Sequence, residues 1–345
     1  MLLRNLIMLL LMMLAGNVSA ASEGALLFAR NCAVCHGDHG EGGVGVPLSL
    51  KSFQASVSDH YLRQTIRLGR PGRVMPAFSH LSAAEIDSVV EYLRSWYDGP
   101  RPTFDPSPVV GDAAHGRQLF GEHCAACHGA DGRGGKGTGV TLSRPRDLPI
   151  IAPALNNSGF LGSAMDRMIR ATLEKGREGT PMVSFLKQGL SETDLNDVVA
   201  YLRSLQPQAD AVVREGPGET ELVYDSPNSL EETVDAVVQA VVGRNFRLIR
   251  KQYLEDGLYP EDEVNHRQVI VYFCNFNFLY EALAIDPRVG LFLPCRVTVV
   301  ETDQGVKVYA VNPKRLSVLF NNDELDKSCN TMHDLYVEIL EEATF

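Results

Sequence analysis

The chain has 345 residues and a formal net charge of −11, with 32 Lys and Arg against 43 Asp and Glu. This acidic balance excludes a basic surface that binds nucleic-acid phosphates, so no nucleic-acid partner is expected. The length leaves room for two or three domains.

The first twenty residues have the three parts of a secretory signal peptide. Met1 to Arg4 give a short positive start, Leu6 to Leu14 form an apolar run, and Val18-Ser19-Ala20 supply the small residues of a cleavage site. The apolar run is shorter than the roughly 20 residues that a membrane span needs. We expect cleavage near Ala20/Ala21, export to the periplasm and no membrane span in the mature protein. An uncleaved N-terminal anchor is the alternative.

Two copies of a Cys-x-x-Cys-His motif follow. They are Cys32-Ala33-Val34-Cys35-His36 and Cys124-Ala125-Ala126-Cys127-His128. Two thiols three positions apart can each form a thioether to one haem vinyl group, and the adjoining His then serves as proximal axial ligand of the iron. A redox dithiol or half of a zinc site is the alternative for a single copy. Two copies in an exported chain predict two covalently bound haem c groups.

The motifs belong to an internal repeat. Leu27-Phe28 precede the first motif as Leu119-Phe120 precede the second, at an offset of 92 residues. Further on, Ser82 to Ile86 matches Ser191 to Leu195 at an offset of 109, so the second copy carries a net insertion of 17 residues. A repeat of this kind predicts two similar domains.

Each copy has the pattern of a helical domain. Ala25 to Asn31 and Arg117 to His123 are predicted as helices that run into the haem motifs. Ser82 and Ser191 are N-cap candidates, each with an acidic residue three positions on, as in a capping box. The helices that they begin carry apolar residues at helical spacing. Those residues are Ile86, Val89, Val90 and Leu93 in the first copy, and Leu195, Val198, Val199 and Leu202 in the second.

These features resemble class I cytochrome c, and the tandem resembles the two-haem periplasmic cytochromes c. The resemblance covers about residues 22–206 and implies all-α domains with haem held between the first and last helices. On this basis we predict a signal peptide at 1–20, cytochrome c domains at 22–98 and 111–206, and a Pro-rich linker at 99–110.

The resemblance implies a distal methionine in a loop before the last helix. Met75 and Met182 each lie in such a Gly- and Pro-bearing loop, with Phe three residues later. A thioether is a soft ligand that suits haem iron, and His/Met ligation raises its reduction potential. The second copy departs from the family in placing Pro before the Met. Histidines are alternative distal ligands only if a Met fails: His39, His60, His80, His115 and His123.

The rest of the chain has a different character. After a polar linker at 207–218, residues 219–345 show interleaved strands and helices typical of a small α+β domain. From 207 to the end, 12 Lys and Arg stand against 24 Asp and Glu. The predicted elements are a helix capped by Ser229, strands at Phe246–Leu254, Gln268–Cys274, Leu291–Val300 and Val306–Val311, and helices at Phe278–Ala284 and Asp323–Glu341.

This segment resembles the family catalogued as domain of unknown function 302. The resemblance rests on Cys274-Asn275, on Asp286-Pro287, on the run from Gly290 to Val297 and on the Val-rich hairpin after it. The family brings no established chemistry and implies a small α/β module, in agreement with the predicted strands.

Three cysteines are the residues of this domain most open to function. Cys274, Cys295 and Cys329 allow a disulfide in an exported protein, most simply Cys274–Cys295. A redox-active or metal-binding thiol site that includes His333 and a set of inert buried thiols are the alternatives.

The sequence therefore predicts a multidomain protein: two all-α cytochrome c domains followed by a small α+β domain. Axial ligation by His36/Met75 and His128/Met182 leaves neither iron open to a substrate, which favours an electron carrier over a catalyst. Expected partners are redox proteins (other cytochromes, a terminal oxidase or a dehydrogenase), with the C-terminal domain used for docking or homodimerisation. Two alternatives remain open: a catalytic subunit acting on a small inorganic species such as a sulfur compound, and a redox or ligand sensor.

Overall fold

The computed structural model describes residues 23–43, 45–134, 152–206 and 219–345. Its contacts divide the chain into two compact units, one holding both copies of the repeat and the other the C-terminal domain. The predicted signal peptide and the linker at 207–218 lie outside the described residues. Within those ranges, no helix combines the length and the hydropathy needed to cross a bilayer.

Within the described residues, each copy has five helices in the same order, as predicted for all-α domains. In the first copy they are α1 (23–31), α2 (Ala33–His36), α3 (Lys51–Gln54), α4 (Asp59–Leu68) and α5 (Ala83–Arg94). In the second they are α6 (Ala113–His123), α7 (Ala125–His128), α8 (Ser158–Ser163), α9 (Asp166–Lys175) and α10 (Glu192–Ser204).

The hydrogen bonds locate the insertion that distinguishes the copies. The N–H groups of Gly42 and Gly134 donate to the carbonyls of the motif histidines, His36 and His128. Equivalent residues of the two copies are 92 positions apart up to this point. From α4 and α9 onward the offset is 107, and it reaches 109 only at the last helices. Most of the predicted insertion of 17 residues therefore lies between the haem motif and α8, and two residues lie just before α10.

In each copy the first helix crosses the last at a glycine. A Cβ at Gly24 would overlap the carbonyl oxygen of Ser88, and one at Gly116 would overlap that of Asp197. Next to the crossing, the buried Phe28 ring lies 5.5 Å from Tyr92, and the buried Phe120 ring lies 5.3 Å from Tyr201. Because glycine has no side chain, the two helices can pack this closely.

An arginine near the end of each last helix joins it to the start of α4 or α9. Arg94 Nε donates to Asp59 Oδ1 at 2.7 Å, and Arg203 Nε donates to Asp166 Oδ1 at 2.5 Å. In each arginine, Nη2 donates to a carbonyl that precedes the same helix, that of Val57 in one copy and that of Ala164 in the other. Because Arg94 is 3% exposed, this ion pair and its hydrogen bonds hold the domain together from inside.

The C-terminal unit is a five-stranded antiparallel sheet in the order β1-β5-β4-β3-β2 with helices packed on it. The strands are β1 (Glu221–Ser226), β2 (Arg247–Tyr253), β3 (Gln268–Cys274), β4 (Cys295–Thr302) and β5 (Gly305–Val311). The α-helices are Leu230–Gly243, Phe276–Ile285, Arg315–Leu319 and Asp326–Thr344. The fold class predicted from the sequence is confirmed.

Two strand predictions need correction. β4 begins at Cys295 and not at Leu291, because Pro287–Phe292 forms a 3-10 helix that Pro287 and the Asp286 cap initiate. Pro294, which has no N–H for a ladder bond, then separates that helix from the strand. β1 was not predicted; it alternates between exposed and half-buried residues at the sheet edge beside β5.

Candidate haem sites

A single helical turn positions the two thiols and the histidine of each motif. In the first copy, the N–H groups of Cys35 and His36 both donate to the Cys32 carbonyl, at 3.1 and 3.0 Å. Cys127 and His128 donate to the Cys124 carbonyl in the same way, at 3.1 and 2.9 Å. Residues three apart lie on one face of such a turn, so both thiols of each motif lie on the same side.

A backbone carbonyl fixes each histidine ring. The Nδ1 atom of His36 lies 2.9 Å from the Val46 oxygen, and that of His128 lies 2.8 Å from the Pro153 oxygen. A carbonyl only accepts, so Nδ1 carries the proton and Nε2 keeps its lone pair for a metal. Burial lowers the pKa of both rings, against the opposing effect of these hydrogen bonds. Both imidazoles are therefore neutral, the form that ligates iron.

The loops that carry the two methionines are held to the preceding helix by equivalent hydrogen bonds. The Arg70 N–H donates to the Met75 carbonyl at 2.9 Å, and the Arg177 N–H donates to the Met182 carbonyl at 2.7 Å. Both thioether side chains are half-buried and pack against the apolar core of this unit. The exchanged order of Pro and Met in the second copy leaves this backbone bond in place.

Glycines with positive φ let these loops return close to the helix ends. Gly69 has a φ of 63° and Gly176 a φ of 70°. A Cβ at Gly69 would lie 2.5 Å from the Pro76 carbonyl carbon, and one at Gly176 would lie 2.6 Å from that of Val183. The methionine loop in each copy therefore depends on glycine at this position.

The thiols of the motifs do not have the properties of a redox dithiol. Burial, and then repulsion from the second cysteine, raises the pKa of Cys32 to about 11. The same two causes raise the pKa of Cys124 to about 11. Redox dithiols have a lowered pKa, because the thiolate is the reactive form. Neutral histidines with free Nε2, paired thiols and a thioether in each copy fit haem c.

The two copies contact each other in a pseudo-symmetric way: a helix of each copy contacts the segment before the methionine of the other. Ser52 Oγ donates to the Glu178 carbonyl at 2.6 Å, and Asn157 Nδ2 donates to the Pro71 carbonyl at 2.8 Å. Residues 71 and 178 are equivalent in the repeat. Gly159 approaches the Gly69 carbonyl so closely that a Cβ there would overlap it. The two domains thus pack α3 and α8 against each other's methionine-loop region.

Two arginines in this interface were missed by the sequence reasoning. Arg70 lies 5.8 Å from the ring centroid of Phe160, and Arg177 lies 5.3 Å from that of Phe53. Each guanidinium therefore stacks on an aromatic ring of the other domain. The signal was present, because Arg70 and Arg177 stand at the same offset of 107 as the methionines five residues later.

Among the alternative histidine ligands, His115 forms a hydrogen bond with a carboxylate of the last helix. Its Nδ1 lies 2.8 Å from Asp197 Oδ2, with Asp194 3.9 Å away. The hydrogen bond that the ring donates to Asp197, together with the charges of nearby carboxylates, raises the pKa of this exposed histidine. This group forms a local ion pair at the first and last helices of the second copy.

The C-terminal cysteines occupy different positions and none is in a disulfide. Cys295 pairs with Phe273 across the sheet, so Cys274, the next residue, projects from the other face. This register disfavours the predicted Cys274–Cys295 bond, which stays a prediction. Cys295 hydrogen-bonds Tyr336, and burial raises its pKa and that of Cys329 to about 11. Both are protonated thiols at neutral pH.

Two of these thiols share an apolar cavity of about 80 Å³. Cys295 lines it from the sheet, and Cys329 and Met332 line it from the last helix. Phe278 and Leu316 contribute apolar wall. His333, proposed as a partner of the thiols, instead places Nδ1 3.0 Å from Asn312 Oδ1.

Three family models match the chain. "Cytochrome C oxidase, cbb3-type, subunit III" matches residues 19–93, "Cytochrome c" matches 113–206, and "Domain of unknown function DUF302" matches 222–343. The chain therefore carries cytochrome c domains within 19–206 and a DUF302 domain after them. Both resemblances inferred from the sequence are confirmed.

Curated relatives match part of the chain. A Cbb3-type cytochrome c oxidase subunit FixP of Azorhizobium caulinodans is 34% identical over 130 residues, which is 35% of this chain and 42% of that protein. A Cbb3-type cytochrome c oxidase subunit CcoP of Azospirillum sp. is 28% identical over 200 residues, 54% of this chain and 62% of that protein. The chain thus spans about two fifths to three fifths of the length of these relatives.

Among solved structures, an uncharacterized conserved protein DUF302 from Bacillus stearothermophilus covers 36% of this chain and 99% of its own, with 19% identity and a TM-score of 0.34.

Proposed function

We propose that this protein is a dihaem c-type cytochrome that passes electrons between redox partners. The observation that carries the proposal is the duplicated site. In each copy a carbonyl orients the ring of a neutral histidine, and a hydrogen bond from the residue after a glycine holds a methionine loop. Cys32 and Cys35 would attach one haem, and Cys124 and Cys127 the other.

The residues of each site would hold haem iron from two sides. His36 and His128 would supply Nε2, and Met75 and Met182 would supply the thioether sulfur. Bound haem supplies reversible one-electron chemistry, at a potential that His/Met ligation raises. If a histidine and a methionine both ligate each iron, no position would be left for a substrate, which favours a carrier over an enzyme that binds substrate at iron.

The sequence and its relatives support a proposal for the compartment of the carrier and for its partner class. We propose export to the periplasm, because the first twenty residues have the pattern of a signal peptide and haem c is attached outside the cytoplasm. The curated relatives are named as subunits of cbb3-type cytochrome c oxidases. A terminal oxidase, another cytochrome or a dehydrogenase is the partner class we propose, with the C-terminal domain as a docking or dimerisation module.

A ligand sensor is the second candidate, and the cavity of the C-terminal domain favours it. The apolar space between Cys295 and Cys329 has room for a small molecule. The raised pKa of both thiols counts against the catalytic alternative, because the thiolate is the nucleophile. A ligand-dependent shift of a haem potential would favour the sensor.

The purified full-length chain provides the test. Haem content per chain and carbon monoxide binding to the reduced form are measured together. Two haems that stay low-spin and bind no carbon monoxide support the carrier. A haem that binds carbon monoxide readily has an open or displaceable iron position, and the carrier proposal is then wrong.

A further inference from the structure

The two interface arginines are equivalent by position and unequal in their partners. Each follows a glycine at the end of α4 or α9, and each donates its backbone N–H to the carbonyl of the candidate axial methionine. Both side chains then extend toward the other domain, where they stack on Phe160 and Phe53. They differ in the hydrogen-bond acceptors that their guanidinium nitrogens contact.

The guanidinium of Arg70 has acceptors within its own domain. One terminal nitrogen donates to the Gly69 carbonyl at 2.8 Å. The other donates to the Tyr61 hydroxyl at 3.0 Å and to Thr65 Oγ1 at 2.9 Å. The charge of Arg70 is therefore solvated by protein oxygens from α4 and the glycine that follows it.

The second copy does not offer Arg177 the same acceptors. The position of Tyr61 is taken by Met168, which has no hydroxyl. The position of Thr65 is taken by Thr172, whose hydroxyl donates to the Met168 carbonyl at 2.9 Å and is turned into its own helix. In addition, Arg177 Nε is buried without a hydrogen-bond partner among the described residues.

A buried guanidinium N–H without an acceptor is costly, so this atom indicates that an anion belongs beside it. Burial lowers the pKa of Arg177, as expected for an uncompensated charge. Arg177 is tied to the second candidate haem site by its backbone hydrogen bond to the Met182 carbonyl.

We propose that Arg177 binds a propionate carboxylate of the haem in the second copy through Nε, and that Arg70 has no such role in the first. This proposal rests on the proposed function, since it needs a haem in each copy. Its consequence is an asymmetric pair of sites. The extra positive charge stabilises the reduced haem, which carries one positive charge less than the oxidised haem. The second haem therefore has a higher reduction potential than it would have without Arg177.

The test compares Arg177→Gln with the matched control Arg70→Gln in the full-length holoprotein, by optical redox titration. A Met75→His background moves the first haem to lower potential, so that the upper step reports the second haem. We expect Arg177→Gln to raise the oxidised-to-reduced ratio of that haem about tenfold at a fixed ambient potential. This equals a fall of about 59 mV for one electron. Arg70→Gln should change the ratio of either haem by less than about twofold.

Arg177→Lys gives a second readout, because it keeps the charge and removes Nε. We expect it to recover only part of the tenfold change. If Arg177→Gln fails to load haem, Arg177→Lys decides by the same criterion. A potential of the second haem unchanged in both variants, or a shift confined to the first haem, would overturn the proposal.

A free anion is the other source of a negative charge at Nε. Titrating the wild type with inorganic phosphate at constant ionic strength separates the two. A potential independent of phosphate supports the haem carboxylate, and a potential that phosphate lowers in the wild type but not in Arg177→Gln overturns it. Two low-spin haems with no Arg177 effect refute this inference alone. A haem that binds carbon monoxide refutes the proposed function instead.

Discussion

The two cytochrome c domains share their backbone contacts and differ in the side chains around them. Both cross the first and last helices at a glycine and fix the histidine through a carbonyl. Around this common framework, the first copy solvates Arg70 where the second leaves the Nε of Arg177 without an acceptor among the described residues. The residues proposed to hold a haem therefore have the same backbone contacts in both copies, while the arginine beside each methionine loop has different side-chain neighbours.

Exchanging the axial methionines should have the largest effect on this comparison. We expect Met182→His to keep the second haem and to lower its potential, because imidazole favours the oxidised iron more than a thioether does. The change should be a sizeable part of the roughly 0.8 V range that axial ligands cover. Met75→His should do the same to the first haem alone. Redox titration of each variant checks this, and an unchanged potential means that the methionine is not the ligand.

The helix crossings should be the next most sensitive feature. Gly116→Ala would force a Cβ into the Asp197 carbonyl, and we expect a loss of about 3 kcal/mol in the free energy of unfolding of the second domain. Gly121→Ala is a matched control on the same helix, because a Cβ added there would meet no other part of the fold within 4 Å. That control should gain about 0.5–1 kcal/mol from helix propensity. Denaturant unfolding of the holoprotein measures both.

Equal destabilisation by Gly116→Ala and Gly121→Ala would show that the close crossing is not what makes glycine necessary. Gly24→Ala extends the test to the first domain, where a loss of similar size is expected because the overlap is with the Ser88 carbonyl.

An aromatic cluster should make the first crossing more stable than the second. Phe28 lies 5.2 Å from the Trp96 ring in addition to Tyr92, whereas the second copy has Leu205 at the position of Trp96. We expect Trp96→Leu to cost the first domain about 1–2 kcal/mol. Trp96→Phe keeps a ring and should cost less. Calorimetry of the holoprotein measures the difference, and equal losses in the two variants would show that the ring contact contributes nothing.

The smallest expected effect is a pH dependence confined to the second copy. There His115 hydrogen-bonds Asp197, where the first copy has Glu23 and Ser88. Because Asp197 raises the pKa of His115 in the folded state, the stabilisation is complete below the ordinary histidine pKa of about 6.5 and is lost as pH rises through the raised value. Melting temperatures between pH 5.5 and 8.5 should fall more for the wild type than for His115→Gln. Parallel pH profiles of the two proteins would contradict this pairing.

The candidate haem sites can be predicted from the sequence because their chemistry is local. Spacing within five residues defines the thiols and His36, and the repeat identifies Met75. The carbonyls of Val46 and Pro153 could not be predicted, since they lie ten and 25 residues after their histidines in loops of different length. The role of Arg177 could not be predicted, because the acceptors available to its guanidinium depend on side chains that lie earlier in α9.

The C-terminal domain was predicted less completely, for a different reason. Alternating and β-branched residues indicated most strands, but β1 is a six-residue edge strand in which no apolar residue is buried. β4 starts at Cys295 because a 3-10 helix, Pro287–Phe292, lies before it. The apolar residues from Leu291 onward do not distinguish that helix from a strand. Three cysteines in a domain expected to be exported suggested a Cys274–Cys295 disulfide, and only the register shows their side chains on opposite faces.

The most direct test of the account is the methionine–iron charge-transfer band of the oxidised full-length protein, measured per haem with each single Met→His variant beside it. The account predicts a band of two equal contributions, of which Met75→His and Met182→His each remove one. A wild-type band worth one haem, or a variant that leaves the band unchanged, would contradict the claim that both copies hold a His/Met haem.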